Sequence, residues 1–249
     1  MKNVHLEKYI TNDVEIDVNE KVSAIDILKL LQRVTFTHSK ILGLDHQTMI
    51  DRDNAFWVIT KMKFVQNHPI GAGHKLTLKT WTHNPQAVRF VRDLQIKSKN
   101  KVMISGKSEW CCLDYYSRTL RRSSSIKYPE LDMIETKENK LTFSNLKVDV
   151  GEKDFVYTHT IMPTDIDVNL HTNNLKYNVM AFDALTLEDL QNKTIKDYEI
   201  YFVNESKIGE KIDIYKKKVR NLTYIEGKRE ETTIFRAVIK FAKIKMVKS

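Results

Sequence analysis

Three polar side chains recur at alternate positions in the second half of the sequence: Asp167, Asn169 and His171. In an extended segment, side chains two positions apart point to the same face, so we expect these three to share one space and to contact one ligand. A carboxylate, an amide and an imidazole can together hold a carbonyl oxygen and move a proton. The spacing indicates a site, although Asp and Asn also occur before helices simply as caps and turn formers.

A helix is predicted directly after this trio. Asn173 or Asn174 is the expected N-cap, because a side-chain oxygen there accepts a backbone N–H of the first turn. Unpaired N–H groups and the positive end of the helix dipole gather at such a terminus, which suits a developing oxyanion. The apolar stripe of the predicted helix consists of Leu175, Val179, Phe182 and Leu185.

The pattern Asp-x-Asn-x-His-x-Asn-Asn-x-x-Tyr, from Asp167 to Tyr177, resembles the signature of the acyl-(acyl carrier protein) thioesterases, which are double hot-dog enzymes. The segment Phe202-Val203-Asn204-Glu205-Ser206 agrees with it, since the family carries a catalytic Glu there, usually followed by Cys. Weaker likenesses in the first half are Leu30-Leu31-Gln32, the run from Phe56 to Met62, Ser108-Glu109-Trp110 and Leu120-Arg121-Arg122.

The resemblance implies a division of roles for the hydrolysis of a thioester without a cofactor or a metal. Glu205 would be the general base or orient the water, Asn169 and His171 would hold the carbonyl or the water, and Asp167 would position Asn169. Ser206 stands where many relatives have Cys, and a Ser hydroxyl without assistance is a far weaker nucleophile. Direct attack by water is therefore favoured, with a Ser206 nucleophile activated by His171 as the alternative.

The implied fold class is α+β, a tandem double hot-dog in which each half is a long helix wrapped by an antiparallel sheet. We expect an N-terminal hot-dog over residues 1–135, a linker over 136–152 and a C-terminal, catalytic hot-dog over 153–249. Apolar periodicity predicts the first helix from Val22 to Leu42, with a capping box that starts at Ser23. The chain from Leu44 to Asn54 is expected to be irregular.

The two halves repeat the same plan, which suggests a duplication. Where the second half carries Asn169 and His171, the first is interpreted as carrying Lys21-Val22-Ser23-Ala24. A single site is thus expected, in the second half, and the first half would shape the acyl pocket. The candidate pocket residues are Leu30, Leu31, Val34, Phe56, Val58 and Met62.

Charge and composition limit the partners and the location. Among 249 residues, 41 Lys and Arg outweigh 32 Asp and Glu, which gives a net charge of +9 with His neutral. Such a surplus favours an anionic partner, and the resemblance favours an acidic acyl carrier protein (ACP) over nucleic acid. No apolar run approaches the roughly 20 residues of a membrane span, and no leader is visible, so no membrane insertion and a cytoplasmic location are expected.

Other functions remain open on the sequence alone. One is an acyl-coenzyme A thioesterase of the hot-dog class, because coenzyme A is also anionic. Another is an acyl-binding hot-dog protein without catalysis, although binding would not require Glu205 together with the trio. A basic nucleic-acid-binding module ranks last. Two hot-dog units can pair within one chain, so both a monomer and a homodimer are consistent with the sequence.

Overall fold

A computed structural model describes residues 3–132 and 139–243 of the chain. These residues form one antiparallel sheet of eleven strands and four α-helices, two in each half of the chain. The helices are α1 (Ala24–Ile41), α2 (His46–Asp53), α3 (Asn174–Asp183) and α4 (Leu187–Leu190). The strands of the first half are β1 (Val4–Ile10), β2 (Ala55–Gln66), β3 (Lys75–Thr82), β4 (Phe90–Ser98), β5 (Lys101–Asp114) and β6 (Leu120–Arg121). Those of the second half are β7 (Phe155–Thr160), β8 (Lys193–Phe202), β9 (Lys211–Val219), β10 (Leu222–Arg229) and β11 (Thr232–Lys243).

The first half wraps its sheet around α1. The helix begins after Ser23, whose hydroxyl accepts the N–H of Asp26 at 3.1 Å, which confirms the predicted cap. It ends before Gly43, which adopts a left-handed φ of 63° that glycine tolerates without strain. Apolar residues at helical spacing on α1 are buried against the strands and belong to a core cluster that extends through both halves of the chain.

The segment that follows α1 differs from the prediction. Residues 46–53 form helix α2 instead of irregular chain. Asp45 caps this helix by accepting the N–H of Thr48, and Met49 is fully buried beneath it. The helix is a short one with a single buried apolar side chain, so periodicity gave no signal for it.

The two halves join through a central pair of strands. Strand β2 pairs with β8 in register from Lys61 opposite Tyr201 to Val65 opposite Asp197, so the sheet runs unbroken in the order β1-β3-β4-β5-β2-β8-β11-β10-β9-β7. Helices α1 and α3 contact each other across this centre. Two hot-dog units therefore pair inside one chain, as the predicted double hot-dog requires, with α3 shorter than α1.

The chain between the units crosses the sheet near this central pair. Residues 139–150 form neither helix nor strand. Both the N–H and the hydroxyl of Ser144 bind the Glu199 carboxylate, at 2.7 and 2.8 Å, and Lys63 pairs with the same carboxylate at 2.9 Å. The predicted domain limit at 135 and the start of the predicted linker at 136 lie outside the described residues. No helix among the described residues is long and apolar enough to cross a membrane.

Candidate active site

The predicted trio lies on a tight turn and not on an extended segment. Ile166 and Thr172 form an isolated antiparallel bridge, and within it Leu170 adopts a left-handed φ of 61°. The Asp167 carboxylate accepts the backbone N–H of Asn169 at 2.8 Å, which fixes the turn. Asp167 thus holds the Asn169 backbone. The correction changes the geometry of the trio but still leaves its members around one small pocket.

The helix cap after the turn is Asn173. Its side-chain oxygen accepts the N–H of Leu175 at 2.8 Å, and its carbonyl accepts the N–H of Lys176 at 2.8 Å. Asn174 is the first residue of α3 and lines the wall of the site. The N-terminus of α3 is therefore directed at the space next to Asn169.

Glu205 approaches the turn from the segment after β8. Its Oε2 atom lies 3.3 Å from Nε2 of His171. The His171 side chain is 13% exposed and that of Glu205 is 45% exposed, so the ring is enclosed while the carboxylate faces solvent. The structure brings together the acid and the imidazole that the sequence placed in two separate segments.

Arg118, which the sequence analysis missed, reaches the same imidazole from the first half. Its Nη2 atom lies 3.3 Å from Nδ1 and 3.4 Å from Nε2 of His171, and its guanidinium carbon lies 4.6 Å from the centre of the Phe56 ring. A guanidinium only donates hydrogen bonds and a carboxylate only accepts them. Both neighbours are satisfied when Nδ1 of His171 accepts from Arg118 and Nε2–H donates to Glu205.

Ser206 points away from this pair. It is fully buried, and its Oγ lies 2.8 Å from the hydroxyls of both Thr172 and Tyr177. Its backbone N–H also donates to the Tyr177 hydroxyl at 3.0 Å. Burial raises the pKa of Tyr177, so this phenol stays protonated as a donor. The geometry gives Ser206 a supporting position behind the site.

Two adjoining cavities surround the candidate residues. The smaller, of about 90 Å³, is lined by Asp167, Asn169, His171, Asn174 and Glu205 among others. The larger, of about 680 Å³, runs between α1 and the first-half sheet. The residues common to both are Trp57, Ile59, Asp167, Asn169, Asn174 and Phe202. The polar residues therefore stand where a small pocket opens beside a space of the size of a ligand site.

The predicted acyl-pocket residues divide into two groups. Met62 lines the large cavity, and Phe56 and Val58 line the small one. Leu30, Leu31 and Val34 line neither of these two cavities, because they belong to the core cluster and are at most 4% exposed. The helix face that meets the large cavity is the adjacent one, with Leu28, Gln32, Thr35, Phe36 and Ser39.

Matching backbone hydrogen bonds show where the first half carries the equivalent turn. Val22 donates to the Ile70 carbonyl at 2.7 Å, as Thr172 donates to the Ser206 carbonyl at 3.0 Å. An isolated bridge between Ile16 and Val22 matches that between Ile166 and Thr172.

The match corrects the comparison of the two halves. Asn19 stands at the place of Asn169, Lys21 at that of His171 and Pro69 at that of Glu205. Asn19 Nδ2 donates to the carbonyls of Leu190 and Lys193, at 2.9 Å each. The first half thus retains the Asn as a structural clamp and lacks both the acid and the imidazole.

Two family models match the chain, one over each half. A family model described as the acyl-ACP thioesterase N-terminal domain matches residues 2–126, and one described as the C-terminal domain matches residues 148–245. The chain belongs to the acyl-ACP thioesterase family.

Relatives of this acyl-ACP thioesterase family member are distant in sequence. The chain is 24% identical over 207 residues to the chloroplastic acyl-(acyl-carrier-protein) hydrolase FATB1 of Cuphea viscosissima, covering 77% of this chain and 48% of that protein. It is 21% identical over 218 residues to the chloroplastic palmitoyl-acyl carrier protein thioesterase of Arabidopsis thaliana, covering 81% and 52%. The chain spans about half the length of the curated relatives it matches.

Solved structures agree closely in fold. An acyl-ACP thioesterase from Bacteroides thetaiotaomicron superposes with a TM-score of 0.86 at 20% identity, covering 96% of this chain and 98% of that one. The 12:0-ACP thioesterase from Umbellularia californica gives 0.83 at 14% identity, covering 98% of each chain. These matches confirm the predicted fold class.

Proposed function

We propose that this chain hydrolyses the thioester that joins a fatty acyl group to ACP and releases the free fatty acid. The observation that carries the proposal is the contact between His171 and Glu205 in the small pocket that adjoins the cavity of about 680 Å³. An acyl chain in that cavity would place its thioester at the shared wall, next to Asn169 and the N-terminus of α3.

In this mechanism water is the nucleophile. One carboxylate oxygen of Glu205 takes a proton from the water while the water oxygen attacks the thioester carbon. The other carboxylate oxygen is held by the Nε2–H of His171. Asn169 and the N-terminus of α3 stabilise the negative charge that develops on the carbonyl oxygen. The carbon–sulfur bond then breaks, and the proton held by Glu205 passes to the departing thiolate, which gives a carboxylic acid and a thiol.

Charge supports ACP as the carrier. The net charge of +9 would attract an acidic protein and speed its encounter, an effect that salt weakens. Coenzyme A carries negative charge too, so the two carriers are compared directly with the same acyl group.

The test is a thiol-release assay over a series of acyl chain lengths on ACP and on coenzyme A. We expect a larger kcat/KM with ACP at every active length, and a decrease in that value as salt is added. If kcat/KM were equal or larger with coenzyme A, coenzyme A would take the place of ACP as the carrier in the proposal. Absence of thiol release from both carriers at all lengths would refute the hydrolase itself.

A further inference from the structure

A buried cation lines the large cavity away from the catalytic turn. Arg92, on β4, is 6% exposed and contributes to the wall. Its register neighbours are Thr82 on β3 and Ser108 on β5, and both also line the cavity. Ser39, on α1, faces the same guanidinium, with its hydroxyl 3.4 Å from Nη2. One end of an otherwise largely apolar and aromatic space is therefore polar.

In the part of the chain that the structure describes, the hydrogen-bond partners of this guanidinium are the His38 ring and two hydroxyl groups. Nη1 of Arg92 contacts Nδ1 of His38 at 2.8 Å and the Thr80 hydroxyl at 3.2 Å. Within residues 3–132 and 139–243, no Asp or Glu forms an ion pair with it. The adjacent carboxylate, Asp93, points to the other face of the sheet, where it pairs with Lys107 at 2.8 Å.

Arg92 is still a cation near neutral pH. Burial lowers the pKa of its guanidinium to about 10, which leaves it protonated. A buried charge without a counter-charge is costly to fold, so an oxygen from a bound ligand would offset part of that cost. The three contacts to His38, Thr80 and Ser39 use three of the five N–H donors of a guanidinium.

The position of Arg92 sets which part of a ligand it would meet. Strand β4 is separated from β2 by β5 alone, so Arg92 lies about 10 Å across the sheet from β2, at ordinary strand spacing. Trp57 and Ile59, on β2, belong to the wall shared with the small pocket. A thioester held at that wall would direct the far part of its acyl chain towards Arg92.

We propose that the cavity end formed by Arg92, Thr82, Ser108 and Ser39 binds an oxygen substituent on the far part of the acyl chain. The inference rests on the proposed function and narrows the substrate class to acyl thioesters that carry a distal hydroxyl group. The hydroxyl oxygen would accept from the Arg92 guanidinium, and its proton would be donated to the hydroxyl of Ser108 or Thr82.

The test measures binding, so that it does not depend on turnover. Trp57 and Trp110 line the cavity, and their fluorescence reports a ligand. The probes are pantetheine amides, in which nitrogen replaces the thioester sulfur, with and without a terminal hydroxyl on acyl chains of matched length. At the length that spans the cavity we expect the hydroxylated amide to bind about tenfold more tightly or better, as a hydrogen bond to a charged donor allows.

Variants locate the preference. Arg92→Met should bring the ratio of the two affinities close to one, and Arg92→Lys should reduce it partially, because the ammonium keeps the charge but loses the planar fork. Arg89→Met is the matched control: Arg89 is 59% exposed just before β4 and should leave the ratio unchanged. The wild-type ratio needs no variant, so poor folding of Arg92→Met leaves the test intact.

The outcomes separate this inference from the proposed function. Equal or weaker binding of the hydroxylated amide at every length overturns the subsite, as does a preference that Arg92→Met retains. Hydrolysis of simple acyl thioesters without any such preference removes only the subsite. A preference that depends on Arg92, in a protein that hydrolyses no thioester, supports the subsite and refutes the hydrolase.

Discussion

Glu205 Oε2 lies 3.3 Å from Nε2 of His171, and the two side chains differ in their contact with solvent. The imidazole is largely enclosed, whereas the carboxylate is 45% exposed and also lines the small pocket. A carboxylate with one oxygen oriented by a neighbour and the other accessible to water suits general-base chemistry. The predictions for the other site residues follow from their contacts with this pair or from their positions beside it.

Removing the charge of Glu205 should reduce turnover and leave the fold intact. Glu205→Gln keeps the shape of the side chain but cannot take a proton, so kcat for acyl-ACP should fall by about 10²–10⁴-fold. Stability should change by no more than about 0.5 kcal/mol, because the side chain is half exposed. Glu188→Gln, on the exposed surface of α4, is the control. A folded Glu205→Gln protein with the wild-type rate would remove Glu205 from the mechanism.

The two equivalent Asn residues should respond differently to one substitution. Asn169→Asp removes an amide donor beside the developing oxyanion, so kcat should fall by about 10²–10³-fold. Asn19→Asp instead places a carboxylate against the carbonyls of Leu190 and Lys193, and should cost about 1–3 kcal/mol of unfolding free energy in urea. If Asn19→Asp reduced kcat as strongly as Asn169→Asp in folded protein, the assignment of roles would be wrong.

The sequence predicted the segments of the site better than its geometry. The caps at Ser23 and Asn173 follow local rules, and the structure confirms them. The turn at Leu170 was missed because a left-handed leucine has no signal in composition. The same turn recurs at Glu20, and the tetrapeptide Ile16-Asp17-Val18-Asn19 is repeated as Ile166-Asp167-Val168-Asn169, so the equivalence of Asn19 and Asn169 does have a signal in the sequence.

Contacts between segments that are distant in the sequence could not be predicted from local sequence patterns, for a different reason. Leu30 and Leu28 are both buried apolar residues of α1, and periodicity cannot tell which face meets a core and which a cavity. Arg92 sits in a strand whose alternation gives no sign of a cavity beside it. Only the tertiary structure decides these points.

Ser206 should act through structure and not as a nucleophile. Ser206→Ala removes a hydroxyl that lies between those of Thr172 and Tyr177, so unfolding free energy should fall by about 1–2 kcal/mol. The loss in kcat should be far smaller than that of Glu205→Gln. Mass spectrometry of the wild-type protein, quenched during turnover, should show no acyl group on Ser206. A trapped acyl-Ser206 adduct would reverse the choice of water as nucleophile.

Arg118 should support catalysis by positioning His171. Its guanidinium donates towards Nδ1 of the ring from 3.3 Å and rests on Phe56, and this contact favours the tautomer whose Nε2–H donates to Glu205. Without it the ring can turn or change tautomer. Arg118→Ala should therefore lower kcat about tenfold, a moderate effect of misplacement, with little change in KM.

Two companion variants distinguish positioning from carrier binding. Arg118→Lys should restore part of kcat, because an ammonium can still donate to the ring but cannot lie flat on Phe56. Arg122→Ala removes an exposed neighbouring charge and should leave kcat unchanged. If Arg118→Ala and Arg122→Ala both raised KM for ACP substrates at constant kcat, Arg118 would instead be assigned to attraction of the acidic carrier. Loss of that attraction weakens the encounter with ACP and does not disturb the His171–Glu205 pair.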